Sequence, residues 1–127
     1  MERVLIIERG DDGRRLGTTL RRAGYDVVET GGTGKGWPGL YYLRDESFHL
    51  VIINESISTT DGVELLPSLR HLTNAPIIIT GSGAEDSIVQ ALIQGADAYL
   101  PQSVEGETVV AYIQALLRRC STLAITG

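Results

Sequence analysis

An α/β domain with a five-stranded, mostly parallel sheet wound with helices on both faces is the fold class that three observations predict. Short apolar runs of four or five residues alternate five times with segments of helical period, the signature of repeated βαβ units. The runs are continuously apolar, as strands covered on both faces require. The chain of 127 residues, 43% hydrophobic and 21% charged, is long enough for one domain with a full core and leaves little room for a second.

The first strand reads Val4-Leu5-Ile6-Ile7. Asp11 and Asp12 follow it, where acidic residues complement the dipole of a starting helix. That helix sets Leu16, Leu20 and Ala23 on one face, leaves Arg14, Arg15, Arg21 and Arg22 to solvent, and stops at Gly24. Tyr25 to Thr30 forms a second strand, and Gly31-Gly32-Thr33-Gly34-Lys35-Gly36 a glycine loop. The loop is not a phosphate-binding P-loop: Glu29 stands where the first glycine is needed, and Gly36 where the Mg²⁺-binding hydroxyl is needed. A short helix follows, with Pro38 near its start and Leu40 and Leu43 inward.

Leu50-Val51-Ile52-Ile53 is the third strand, ending at Asn54. Asp61-Gly62-Val63-Glu64 reads as a capping box opening the next helix, with Pro67 bending it or delaying its start. Pro76 to Thr80 supplies the fourth strand, Glu85 to Gln94 a helix closed by Gly95, and Ala98 to Leu100 the fifth strand. The last helix is expected from Ser103, as N-cap, to Arg119, with Val109, Ile113, Leu116 and Leu117 inward. Residues 120–127 carry no clear pattern.

Composition narrows the function classes. Sixteen acidic residues against 11 basic ones give a net charge of −5, so the domain is not expected to bind nucleic acid directly. The absence of a membrane-length apolar run or a leader, together with the single Cys120, points to the cytoplasm. A ligand would sit at the carboxyl ends of the strands, where the winding of such a sheet reverses. His49 and His71 are not placed there to serve as bases, and the histidines and Cys120 lack zinc-site spacing.

Five segments in order carry a family resemblance: Val4-Leu5-Ile6-Ile7-Glu8; Arg22-Ala23-Gly24-Tyr25-Asp26-Val27-Val28; Leu50-Val51-Ile52-Ile53-Asn54; Asp61-Gly62, seven residues beyond Asn54; and Gly95-Ala96-Asp97-Ala98-Tyr99-Leu100-Pro101. In these the chain resembles a bacterial two-component response-regulator receiver domain, from Arg3 to Arg119, with residues 120–127 as a tail or the start of a linker to an output domain. The resemblance implies a flavodoxin-like sheet of order 2-1-3-4-5. It also implies a phosphoryl-accepting aspartate at the end of strand three, Mg²⁺ held with an acidic pair after strand one, a Ser/Thr after strand four and a lysine after strand five. In this chain the phosphoacceptor position falls on Asn54, the acid pair on Glu8 and Arg9, the hydroxyl on Thr80 and the lysine on Gln102.

The chemistry of that set is degenerate. An amide is not a phosphoryl nucleophile, and its NH₂ is a donor where a metal needs an acceptor. Three carboxylates and a lysine carry about −2, whereas Glu8 and Arg9 together carry about 0, which leaves little to attract Mg²⁺. Lys35, in the glycine loop, is the only lysine in the chain. One expectation is that Arg9 lies across the metal position, bonded to Glu8 or Asn54. Thr80 and Tyr99 stand at the two switch positions that couple the family's site to its helix 4–strand 5–helix 5 face, on which Ile88, Val89, Ala98 and Val109 would leave an apolar surface. The expected function is therefore a non-enzymatic pseudo-receiver without cofactor, acting through a protein partner or a homodimer and controlling a transcriptional output domain. The alternative is a sensor of a small ligand or nucleotide in the strand-end crevice. Glu55 and Asp11 are the other carboxylates that could take a phosphoryl group.

Overall fold

The computed structural model describes residues 2–8, 14–30, 37–60, 63–104 and 106–126. The chain runs β1 (Arg3–Ile7), α1 (Arg14–Arg22), β2 (Asp26–Thr30), α2 (Trp37–Asp45) and β3 (Leu50–Asn54). A one-turn 3-10 helix (Glu55–Ile57) and an antiparallel pair of two-residue strands, Thr59–Thr60 with Val63–Glu64, lead into α3 (Leu66–Leu72). Then come β4 (Ile77–Gly81), α4 (Glu85–Ile93), β5 (Ala98–Pro101) and α5 (Gly106–Thr126). The five long strands form one parallel sheet, as the alternation of strands and helices predicts, and its order β2-β1-β3-β4-β5 is the one the family resemblance implies.

Successive side chains of a strand point to opposite faces, so each continuous apolar run feeds two cores. Leu5, Ile7, Val51, Ile53, Ile77 and Ile79 pack with Leu43 of α2, Leu66 and Leu69 of α3 and Ala91 of α4. Val4, Ile6, Leu50, Ile52 and Ile78 pack on the other face with Leu20 of α1 and with Val109, Ile113 and Leu117 of α5. Gly24 closes α1 at φ 98°, a left-handed conformation that costs a glycine little, and Tyr25 N–H then donates back to the Leu20 carbonyl at 3.1 Å.

Three local expectations are corrected, and a fourth, that Pro67 bends its helix or delays its start, resolves as a delayed start. The capping box does not form: Val63 and Glu64 lie in the two-residue ladder, while Asp61 and Gly62 lie outside the described residues. Helix α3 starts at Leu66, so that Pro67, which has no N–H to donate, falls in its first turn. Ala23 is exposed in the turn after α1, and only Leu16 and Leu20 face inward. Helix α5 begins at Gly106, three residues after Ser103, and continues through residues 120–126, where no pattern was expected.

Ile113 is fully buried between α5 and the sheet, whereas its neighbour Tyr112 is 47% exposed. Ile113→Ala is expected to lower unfolding free energy by about 2–5 kcal/mol. Tyr112→Ala should change it by about 0.5 kcal/mol or less, both being read by urea denaturation. Equal effects would show that α5 does not dock as described.

Candidate functional site

The sheet order places β1 between β2 and β3, so the winding reverses between β1 and β3 and a crevice opens at their carboxyl ends. Parallel register carries Glu8, Asn54, Thr80 and Gln102 to that one edge: Ile7 pairs with Ile53, Asn54 with Thr80, and Gly81 with Pro101. Glu8, Asn54 and Thr80 are all buried, an unusual environment for polar side chains. Gln102 is exposed in the turn after β5, its backbone N–H donating to the Gly81 carbonyl at 2.8 Å. Arg9, and with it the expectation that a guanidinium spans Glu8 and Asn54, lies outside the described residues, as does Asp11.

Asn54 has a local structural task. Its Oδ1 accepts from the Ser56 N–H at 2.8 Å, capping the 3-10 turn that leads the chain off the sheet. That bond directs its Nδ2 inward, where it is buried without a hydrogen-bond partner among the described residues. The Thr80 hydroxyl, on the neighbouring strand, is in the same condition.

Thr80 and Tyr99 face different sides of the sheet. Thr80 lines a cleft of about 410 Å³ between α1 and α5, which has Glu8 and Gln102 at its polar end and Leu16, Leu100 and Val109 along its wall. Tyr99 packs beside Ile79 in the opposite core. Its hydroxyl donates to Glu55 Oε2 at 2.9 Å and accepts from the Gly83 N–H at 3.0 Å.

Glu55, immediately after Asn54, is the polar centre of that side. Its Oε1 accepts from the Ser82 N–H at 2.9 Å while Oε2 takes the Tyr99 phenol. Burial pushes the Glu55 carboxyl upward, but the bonds from Ser82, Tyr99 and Ser87 outweigh it and leave the group below its ordinary range. The Tyr99 phenol moves upward, through burial first and then through its carboxylate neighbour, with the Gly83 amide opposing. Sequence reasoning treated Glu55 only as a stand-in phosphoacceptor. The available signal was a carboxylate one residue past the strand end, facing the small-residue run Gly81-Ser82-Gly83.

Mg²⁺ takes near-octahedral oxygen ligands, and several of the described oxygens at this edge already have partners. Asn54 Oδ1 is committed to Ser56, both Glu55 oxygens are committed to Ser82 and Tyr99, and no trio of His, Cys, Asp or Glu able to hold a metal occurs among the described residues.

Residues 4–114 match the model of the response regulator receiver domain. The chain is 35% identical over 121 residues to the transcriptional activator protein PfeR of Pseudomonas aeruginosa, covering 92% of this chain and 38% of PfeR. It is 33% identical to the transcriptional regulatory protein AfsQ1 of Streptomyces coelicolor, covering 94% of this chain and 52% of that protein. The chain thus spans about half or less of the length of these relatives. A CheY-like receiver domain from Methanospirillum hungatei superimposes with a TM-score of 0.79 at 26% identity, covering 96% of this chain and 98% of that one. On the match of residues 4–114 to the family model, and with the sheet order in accord, the chain belongs to the response regulator receiver domain family.

Proposed function

We propose that this receiver domain works without phosphorylation at the family's usual position and transmits through protein contact. The observation that carries the reading is Asn54 at the end of β3, a neutral amide whose oxygen is occupied in capping the next turn. A nucleophile for phosphoryl transfer must donate an oxygen electron pair to phosphorus and become an acyl phosphate as the donor's leaving group departs, and a neutral carboxamide is a poor nucleophile for that step. Gln102 can hydrogen-bond to a phosphoryl oxygen but brings no positive charge to stabilise it. Mg²⁺ binding is accordingly weak or absent in this reading, and the domain is not an enzyme.

The partner in this reading is protein, as a homodimer through the α4–β5–α5 face or as another chain. Of the residues expected to make that face apolar, Ala98 and Val109 are core and Ile88 packs against it, so among them Val89 alone is well exposed. Among the described residues Leu92, Ile93 and Tyr112 add to the exposed apolar surface on α4 and α5. Scattered exposed apolar residues are ordinary, but Val89, Leu92 and Ile93 belong to one nine-residue helix, with Ile93 72% exposed. Residues 3–119 form the receiver unit and the end of α5 leads toward an output domain, a transcriptional one by analogy with PfeR and AfsQ1. The acidic balance of the domain leaves DNA contact to that output domain, in the cytoplasm. No helix among the described residues is long and apolar enough to cross a membrane.

A second reading, the sensing of a small ligand, draws on the 410 Å³ cleft and the Thr80 hydroxyl facing into it without a partner among the described residues.

Titration with Mg²⁺ and beryllofluoride, followed by backbone amide NMR, is expected to leave Asn54, Thr80 and Tyr99 unmoved, and acetyl phosphate should leave the intact mass unchanged. Saturable shifts at those residues, or a phosphorylated species, would overturn the proposal. Ile93→Asp should abolish any self-association seen by analytical ultracentrifugation while leaving the thermal midpoint within a few degrees, since Ile93 packs little. A ligand that raises the wild-type midpoint, with loss of that effect in Thr80→Val, would favour the sensor reading.

A further inference from the structure

Glu55 joins three parts of the chain that the sheet alone does not hold together. It leaves β3 at the first residue of the 3-10 turn, and its two oxygens reach the backbone of the β4–α4 loop and the phenol of β5. The loop is shaped to receive it. A Cβ at Gly81 would overlap the Glu55 carboxylate and the Tyr99 hydroxyl, so only glycine leaves space there. Gly83, at φ 87°, turns the chain with its N–H on the Tyr99 hydroxyl. Helix α4 opens two residues later behind Ala84, which has no side chain to cap it. The Glu55–Ser82–Gly83–Tyr99 cluster therefore anchors the approach to α4, the helix that exposes Val89, Leu92 and Ile93.

We infer that Glu55 is a built-in latch: a fixed carboxylate that holds Tyr99 buried and ties the β4–α4 loop to the end of β3, so that the α4–β5–α5 face is kept in one arrangement by a charge the chain itself supplies. This deepens the phosphorylation-independent reading and rests on it. The contacts have the chemistry the role needs. A carboxylate accepting from a phenol and a backbone amide makes charge-assisted bonds, stronger than neutral ones, and partial burial strengthens them. The low position of the Glu55 carboxyl keeps the charge in place at neutral pH. The latch differs from a phosphoryl group in being permanent, so regulation must come from whatever competes for Tyr99 or for the α4 face.

The experiment compares amide hydrogen exchange and NMR shifts of the full 127-residue chain in the wild type, Glu55→Gln, Tyr99→Phe and Gly81→Ala. Glutamine keeps the shape of Glu55 and removes its charge; phenylalanine removes only the hydroxyl; alanine at Gly81 displaces the pair by volume. All three should raise exchange at Ser82 and Gly83 by about tenfold or more, as loss of a charged hydrogen bond implies, and shift amides at the start of α4 while leaving β1 and β2 unchanged. The double variant Glu55→Gln/Tyr99→Phe should show less than the sum of the two single variants, because the Tyr99–Glu55 bond is perturbed in each. Wild-type exchange at Ser82 and Gly83 in folded Glu55→Gln and Tyr99→Phe would overturn the latch. Should Glu55→Gln not fold, Tyr99→Phe and Gly81→Ala decide it by the same readout. A wild-type response to beryllofluoride would instead remove the phosphorylation-independent reading, so the two ideas fail on separate observations.

Discussion

Burial of a parallel sheet on both faces is the constraint from which the rest of the molecule follows. The central strands β1, β3 and β4 are almost wholly withheld from solvent, and their alternate side chains supply two separate cores. Register in such a sheet is tightly specified, because a one-residue slip would exchange the two faces along the whole strand. What register specifies in turn is the carboxyl edge. Glu8, Asn54 and Thr80 arrive there at consistent heights because Val4 pairs with Leu50 and Val51 with Ile77 several residues earlier. A packing requirement thus positions a polar cluster that packing alone would not tolerate.

The same strand alternation separates that edge into two chemical compartments. Thr80 looks into the cleft between α1 and α5, whereas Tyr99 looks toward α4. A covalent group at the end of β3 would stand between the two compartments. In this chain an amide stands at position 54 and a carboxylate at position 55, and the two side chains act on different sides of the sheet. The 3-10 turn begins at Glu55 and carries its side chain off the strand, toward β4–α4 and β5, and away from the cleft that Glu8 lines.

Most of the fold was legible because it rests on period and punctuation. Val4 to Ile7, Leu50 to Ile53 and the Ile77 to Thr80 run are continuous and apolar, and Gly24 marks the end of α1 as its φ of 98° requires. The misreadings come from places where local chemistry offered two answers. Asp61-Gly62-Val63-Glu64 has the spacing of a capping box, but Pro67 governs where α3 can start, and a helix beginning at the box would have placed it in the interior. The end of α5 is helical although residues 120–127 show no amphipathic pattern, since continuing an existing helix needs no new nucleus. The site was legible by position only: the residues at strand ends can be read off in order, whereas the partnership of Glu55 with Tyr99 joins residues 44 apart and depends on a Cβ that Gly81 lacks.

A neutral residue at the end of β3 also resolves a conflict that an aspartate there would create. Glu55 already places a full negative charge beside this strand end, held by Ser82 and Tyr99. A second carboxylate at the adjacent position 54 would add a like charge to the same partly buried strand end, and like charges there oppose each other's ionisation. Cations relieve that repulsion in an acidic site, and no trio of His, Cys, Asp or Glu able to hold one occurs among the described residues. One charge is easier to sustain at such a strand end than two. The amide at position 54 and the carboxylate at position 55 are then parts of one arrangement: the charge sits where the Ser82 backbone amide and the Tyr99 phenol hold it, and the neutral amide beside it caps the turn that aims it there.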